Sequence, residues 1–133
     1  MNKTKQLVES RGNWTIEDSL ELYRIKDWGE NYFSVNEKGH ITVNPDKGSK
    51  RSIDLKQLVD QLQTRGISLP ILIRFTEILR NRLKEINQVF LNAIEEFEYR
   101  GKYSCIYPIK VNQQRHVVQE ILDFGHEYNF GLE

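Results

Sequence analysis

Apolar and polar positions alternate in Tyr32-Phe33-Ser34-Val35-Asn36 and again in His40-Ile41-Thr42-Val43-Asn44. Successive side chains of a strand point to opposite faces, so Phe33 and Val35 share one face, as do Ile41 and Val43. The short Glu37-Lys38-Gly39 between the two runs ends in glycine, and the pattern predicts a β-hairpin on a half-buried sheet. Upstream, residues 1–12 are polar, and Thr15 with Asp18 three residues on predicts a capped helix to about Leu22. Trp14 and Leu20 are its expected apolar anchors. Downstream, Pro45-Asp46-Lys47-Gly48-Ser49-Lys50-Arg51 concentrates turn formers and charge and reads as a loop. Asp54 then caps a helix carrying Leu55, Leu58, Val59 and Leu62, stopped by Gly66.

From residue 67 the pattern changes. Leu69-Pro70-Ile71-Leu72-Ile73 is continuously apolar, as expected of a short strand buried on both faces. Leu79, Leu83, Ile86, Phe90, Ala93 and Phe97 follow at spacings of four and three, the stripe of a long amphipathic helix. The opposite face carries Arg80, Lys84, Glu95 and Glu96. After Gly101, Tyr103 to Asn112 predicts the next strand. Val117, Val118, Ile121 and Leu122 mark another helix, closed by Gly125, and Tyr128 to Glu133 begins a third strand. Strand, helix, strand, helix, strand is the order of a right-handed parallel βαβαβ arrangement. The fold class read here is α/β, with a mixed α+β region over 1–66 and the parallel part over 67–133.

Composition narrows the function classes. Lys+Arg and Asp+Glu are equal at 19 over 133 residues, which argues against a general electrostatic claim on nucleic acid or an anionic membrane. No run approaches the roughly 18 apolar residues of a membrane helix. No apolar segment follows Met1-Asn2-Lys3-Thr4-Lys5-Gln6, so no secretion signal is read, and Asn13-Trp14-Thr15 stands as a chance match to a glycosylation site. The single cysteine, Cys105, excludes an intramolecular disulfide and is read as a small core hydrophobe. The expected location is the cytoplasm.

The chemistry centres on Tyr107-Pro108-Ile109-Lys110-Val111-Asn112-Gln113-Gln114. A lysine in an apolar β-type run is out of place, because desolvation penalises its ammonium form. Such a lysine is paired, reaches water from an edge strand, or serves as a reactive amine that condenses with a carbonyl. Strand alternation would place Pro108, Lys110 and Asn112 on one face and Ile109 and Val111 on the other. Pro108, lacking an N–H, is expected to make the ladder irregular. His116 is read as a surface residue, His40 and His126 show no metal-ligand spacing, and Arg74 is placed toward the site region with an ion pair as its competitor.

A wider set of segments resembles one family. Trp14-Thr15-Ile16-Glu17-Asp18, Asp27-Trp28-Gly29-Glu30-Asn31-Tyr32-Phe33-Ser34-Val35-Asn36, Leu69-Pro70-Ile71-Leu72-Ile73-Arg74-Phe75 and Tyr99-Arg100-Gly101-Lys102-Tyr103 occur in order before the lysine motif. Together they resemble the biosynthetic arginine decarboxylases, from about Trp14 to Glu133, in the amino-terminal part of a much longer family sequence. The resemblance implies the first two to three strands of a parallel (β/α)8 barrel that binds pyridoxal 5'-phosphate, and L-arginine as substrate. By the same resemblance Lys110 forms the Schiff base with that cofactor, Asn112 supports and orients, and Glu133 is the acidic residue near the cofactor after the third strand. It also implies a homo-oligomer for the full-length enzyme, and it admits magnesium with no ligand assigned in this chain.

A complete barrel takes about 250 residues and eight strand–helix units, whereas this chain holds two units and part of a third. The expectation is therefore a fragment that does not decarboxylate arginine alone. Two other classes stay open. One is a different barrel-type pyridoxal-phosphate decarboxylase, against which the segments around Trp14 and Trp28 speak. The other is a non-enzymatic interaction fragment using the hairpin or an open sheet edge.

Overall fold

Thr15 starts the first helix as its sequence requires. Its hydroxyl accepts a bond from the Asp18 N–H at 3.2 Å, and Asp18 Oδ2 accepts from the Thr15 N–H at 2.7 Å, the reciprocal capping box. Helix α1 (Ile16–Leu22) follows. The computed structural model describes residues 12–47 and 51–133, in two compact units, Met1–Leu72 and Ile73–Glu133. Most of the polar lead 1–12 and the centre of the 45–51 loop lie outside the described residues.

Trp14 is not an anchor of α1: it is 63% exposed, and its indole N–H donates to the Ser19 hydroxyl at 2.7 Å. A tryptophan whose N–H finds a local partner can lie along the surface. The apolar centre of this unit is instead Ile25, Tyr32 and Val43. Ile25 opens an additional short helix, α2 (Ile25–Trp28), and the Trp28 ring packs tilted on Phe33 at 5.2 Å.

The hairpin forms as expected. Strand β1 (Phe33–Val35) pairs antiparallel with β2 (Ile41–Val43), placing Phe33 opposite Val43 and Val35 opposite Ile41. Asn36 organises the turn, its Oδ1 accepting the N–H groups of Lys38 and His40 at 3.0 Å each. A third strand, β3 (Ile53–Asp54), pairs antiparallel with β2. Two residues are too few to show a period of two, so this strand leaves no pattern in the sequence.

Asp54 joins the sheet to helix α3 (Leu55–Thr64). Its Oδ1 accepts the Gln57 N–H at 3.1 Å, while its Oδ2 lies 2.9 Å from both Asn36 Nδ2 and His40 Nδ1. Burial pushes the Asp54 carboxyl up, but the bonds from Gln57, His40 and Asn36 and the charge of His40 outweigh it, holding the group at about 2 against an ordinary 3.8. A lowered folded value stabilises above the unfolded value and is lost as pH falls through the folded one. Stability of this unit is therefore expected to fall between about pH 4 and pH 2. In Asp54→Asn, acid titration followed by circular dichroism should show less of that loss; an unchanged acid limb would remove the assignment.

Helix α3 ends in the two-bond left-handed cap. Gly66, at φ +85°, donates to Gln63 C=O at 2.9 Å, and Ile67 N–H reaches Leu62 C=O at 3.1 Å. The strand expected over Leu69–Ile73 does not form. The segment is irregular, with a cis Leu69–Pro70 bond and Leu72 70% exposed. A strand needs a neighbour to take its N–H and C=O groups, and no backbone bond is recorded for 69–73 among the described residues.

The second unit opens on the long helix α4 (Thr76–Glu96). Leu83 and Asn87 are buried on it, whereas Phe90 and Phe97, at the far end of the expected stripe, are exposed. Strand β4 (Cys105–Tyr107), helix α5 (Arg115–Gly125) and strand β5 (Phe130–Leu132) follow. The strands are parallel, with Cys105 opposite Phe130, Ile106 opposite Gly131 and Tyr107 opposite Leu132. This is one of the expected strand–helix–strand units. Cys105 is half-buried in β4, beside the Tyr103 phenol, which burial and its bond to the Cys105 thiol push up to about 12.

Ile121, 1% exposed, is the centre of this unit, on a helix that packs against both α4 and β5. Arg80 of α4 bonds the Glu120 carboxylate of α5 at 2.9 Å and lies over the Phe124 ring at 5.7 Å. Gly125, the last residue of α5, has no room for a side chain: a Cβ there would stand 2.7 Å from Phe130 Cβ. The reversal into β5 is made by Asn129, at φ 57°, whose amide donates to the Tyr103 carbonyl at 3.1 Å.

Candidate functional site at the carboxyl ends of the parallel strands

The β4–β5 ladder continues one residue past the strands. Glu133 N–H donates to Tyr107 C=O at 3.0 Å, and Ile109 N–H donates to Glu133 C=O at 2.9 Å. Glu133 therefore stands opposite Pro108. Because Tyr107 and Ile109 turn their backbone groups toward β5, Pro108 between them faces its missing donor away. The expected irregularity at Pro108 does not occur; proline sits where no ladder bond is asked of it.

The irregularity comes after Ile109. Residues Ile109–Val111 form a single 3₁₀ turn, with Val111 N–H on Pro108 C=O and Asn112 N–H on Ile109 C=O, both at 3.1 Å. Lys110 is thus not on a strand, and Pro108, Lys110 and Asn112 do not share a strand face. There the backbone satisfies its own groups by tight i→i+3 bonds. The turn leaves Lys110 exposed and Asn112 half-buried. Among the described residues no carboxylate, that of Glu133 included, lies within ion-pair distance of the Lys110 ammonium.

Asn112 acts through its side chain at once. Its Oδ1 accepts the Gln114 N–H at 3.1 Å, leading the chain into α5, while its carbonyl receives a long bond from the Tyr107 hydroxyl at 3.5 Å. Gln114 then accepts from Arg74 Nη2 through its side-chain oxygen, and Arg74 Nε donates to His116 Nε2 at 3.0 Å. The acceptor role leaves that imidazole nitrogen unprotonated. His116 is a surface residue, as expected, but partnered. Arg74 meets no acidic residue here, so the competing ion-pair reading does not hold among the described residues.

Lys110, Asn112, Glu133, Arg74 and the start of α5 thus gather at the carboxyl ends of two parallel strands. In α/β folds this is the end where loops and helix N-termini converge on ligands. Arg74–His116 and Arg74–Gln114 are contacts the sequence does not advertise, since they span 42 and 40 residues. An exposed primary amine without a carboxylate partner fits a ligand carrying an aldehyde. Among the described residues no group of three or more His, Cys, Asp and Glu could hold a metal ion.

The fold and the site together define a strand–helix–strand unit that presents a free lysine at its strand ends. Known proteins share its sequence. The chain is 51% identical over 121 residues to the biosynthetic arginine decarboxylase of Gloeobacter violaceus, covering 91% of the chain and 19% of that relative. It is 54% identical over 120 residues to that of Citrifermentans bemidjiense, covering 90% and 19%, and 44% identical over all 133 residues to one from Prochlorococcus marinus, covering 100% and 20%. Over 90–100% of its length the chain is similar to the biosynthetic arginine decarboxylases, as a stretch resembling their amino-terminal part, and it spans about a fifth of the length of these relatives. No family model matches it.

Proposed function

We propose that this chain carries the cofactor-bearing lysine of a pyridoxal 5'-phosphate-dependent arginine decarboxylase, a carboxy-lyase converting L-arginine to agmatine and carbon dioxide for polyamine biosynthesis. The observation that carries the reading is Lys110, an exposed and unpaired amine at the carboxyl ends of two parallel strands within the family's most specific motif. Bound there, pyridoxal phosphate supplies a conjugated ring that takes up the electrons released as carbon dioxide leaves an amino acid. Lys110 would be the residue that holds the cofactor through its aldehyde, and its amine would be the group placed to move a proton there. Asn112 orients the lysine-bearing turn through its bond to the Gln114 N–H. Glu133 has its backbone bonded to Tyr107 and Ile109, at the entry of the same turn.

The parallel unit is read as part of a (β/α)8 barrel, in a cytoplasmic homo-oligomer. Balanced charge supports a reading without nucleic acid or membrane as partners, and no helix among the described residues is long and apolar enough to cross a membrane. That the chain alone does not turn over arginine rests on its covering about a fifth of its relatives.

The test is chemical trapping. The purified chain is mixed with pyridoxal phosphate, reduced with borohydride and digested, and the label is located by mass spectrometry. Lys110 should carry label ahead of the other lysines. Label spread evenly over all lysines would count against the reading.

A further inference from the structure

We propose that Arg74 is a positioning residue for Lys110: its guanidinium holds Gln114 and His116 and so fixes the turn that carries the lysine. The proposal rests on the reading of Lys110 given above.

Little else holds this turn at its far end. Helix α5 has no side-chain cap and no acidic residue in its first turn, so its entry is not stabilised in the usual ways. Asn112 contributes its side-chain bond from the Gln114 N–H and a long carbonyl bond from the Tyr107 hydroxyl, both within the same segment. Arg74 is different, because it comes from the chain that leads into α4, some 40 residues away. One planar group makes both contacts, Nη2 to Gln114 and Nε to His116. A guanidinium fork is preorganised, so a second bond costs little further side-chain freedom, and a lysine cannot reproduce it.

The geometry then connects two ends of one short arc. On one side the ladder bonds of Ile109 and Glu133 hold the turn's entry. On the other side Arg74 holds its exit at Gln114. Lys110 lies between them. Releasing the exit leaves the amine attached to the sheet on one side only, and its orientation spreads.

Exposed polar contacts are individually weak, so the expected effect is modest and local. In Arg74→Ala, and equally in Arg74→Lys, amide exchange over residues 112–118 should quicken about fivefold, while the middle of α4 and the circular dichroism stay unchanged. Borohydride-trapped labelling of Lys110 by pyridoxal phosphate should slow by a similar factor relative to the other lysines. Gln114→Ala should show the same two changes at smaller size. It serves in place of the Arg74 variants if they fail to fold.

Unchanged exchange over 112–118 overturns the proposal, since the clamp then holds nothing. Faster exchange with Lys110 labelling unchanged also overturns it, because Arg74 is then structural alone. Full recovery in Arg74→Lys overturns the fork as the cause. If the parent labels its lysines evenly, the reading of Lys110 itself fails, and the positioning role goes with it. If the parent favours Lys110 and Arg74→Ala favours it equally, only the role of Arg74 fails.

Discussion

Lys110→Ala is expected to abolish the site-specific reducible adduct with pyridoxal phosphate while leaving the fold intact. Two features of the structure set this expectation. The side chain is exposed and makes no ion pair among the described residues, so truncation removes no packing and strands no buried charge. The 3₁₀ turn around it is held by the Val111 and Asn112 N–H groups on Pro108 and Ile109, bonds indifferent to the side chain between them. Lys110→Arg is the sharper variant. It keeps the charge and most of the length, but a guanidinium stays protonated and does not condense with an aldehyde. Both variants should lose the visible absorbance and the trapped peptide, with thermal stability within about 0.5 kcal/mol of the parent. A Lys110→Ala protein that binds the cofactor as well as the parent would remove Lys110 from its proposed role.

Ile121→Ala is the substitution expected to cost the most stability. The residue is 1% exposed on α5, facing α4 and β5, so removing its outer methyl groups leaves a cavity in the one place where helix, helix and sheet meet. Deletions of this kind cost about 2–4 kcal/mol. A unit of about 60 residues has only roughly 3–9 kcal/mol in total, so the loss takes a large share of it. Leu122→Ala, next along the helix but 40% exposed, should cost about 1 kcal/mol or less. Urea unfolding of the two variants makes the comparison, and equal midpoints would show that Ile121 is not the centre of this unit. Because α5 begins at the site, the same variant should also weaken Lys110 labelling wherever the helix is lost.

Much of the local structure was legible because it depends on neighbours in sequence. Thr15 and Asp18 cap α1, and Asp54 caps α3, through bonds three residues long. Gly66 stops α3 by taking a left-handed conformation that other residues avoid. The hairpin followed from alternation at Phe33, Val35, Ile41 and Val43. The misreadings share a different cause. Leu69–Ile73 has the composition of a strand, yet a strand exists only where another backbone accepts its bonds, and composition says nothing of that. Trp14 is apolar enough for a core but has Ser19 within reach at the surface. Tyr103–Asn112 was read as one strand, whereas the ladder stops at Ile109 and the backbone turns on itself.

For the site, the lysine motif and its family were readable from residues alone, and the comparisons with known decarboxylases agree with that resemblance. The position of the lysine was not. Alternation would have aimed it along a strand face. The structure sets it in an exposed turn between a ladder bond and the Arg74 contacts.

The sequence by itself determined the capped helices and the hairpin, and it carries the lysine motif and its family resemblance, because each rests on residue type at short spacing. Tertiary structure alone decided which residues surround that amine. Glu133 lies beside Pro108 because two strands 25 residues apart run parallel in a set register, and Arg74 meets Gln114 and His116 across α4 and β4. Such contacts depend on where the backbone goes between them, and no spacing along the chain encodes it.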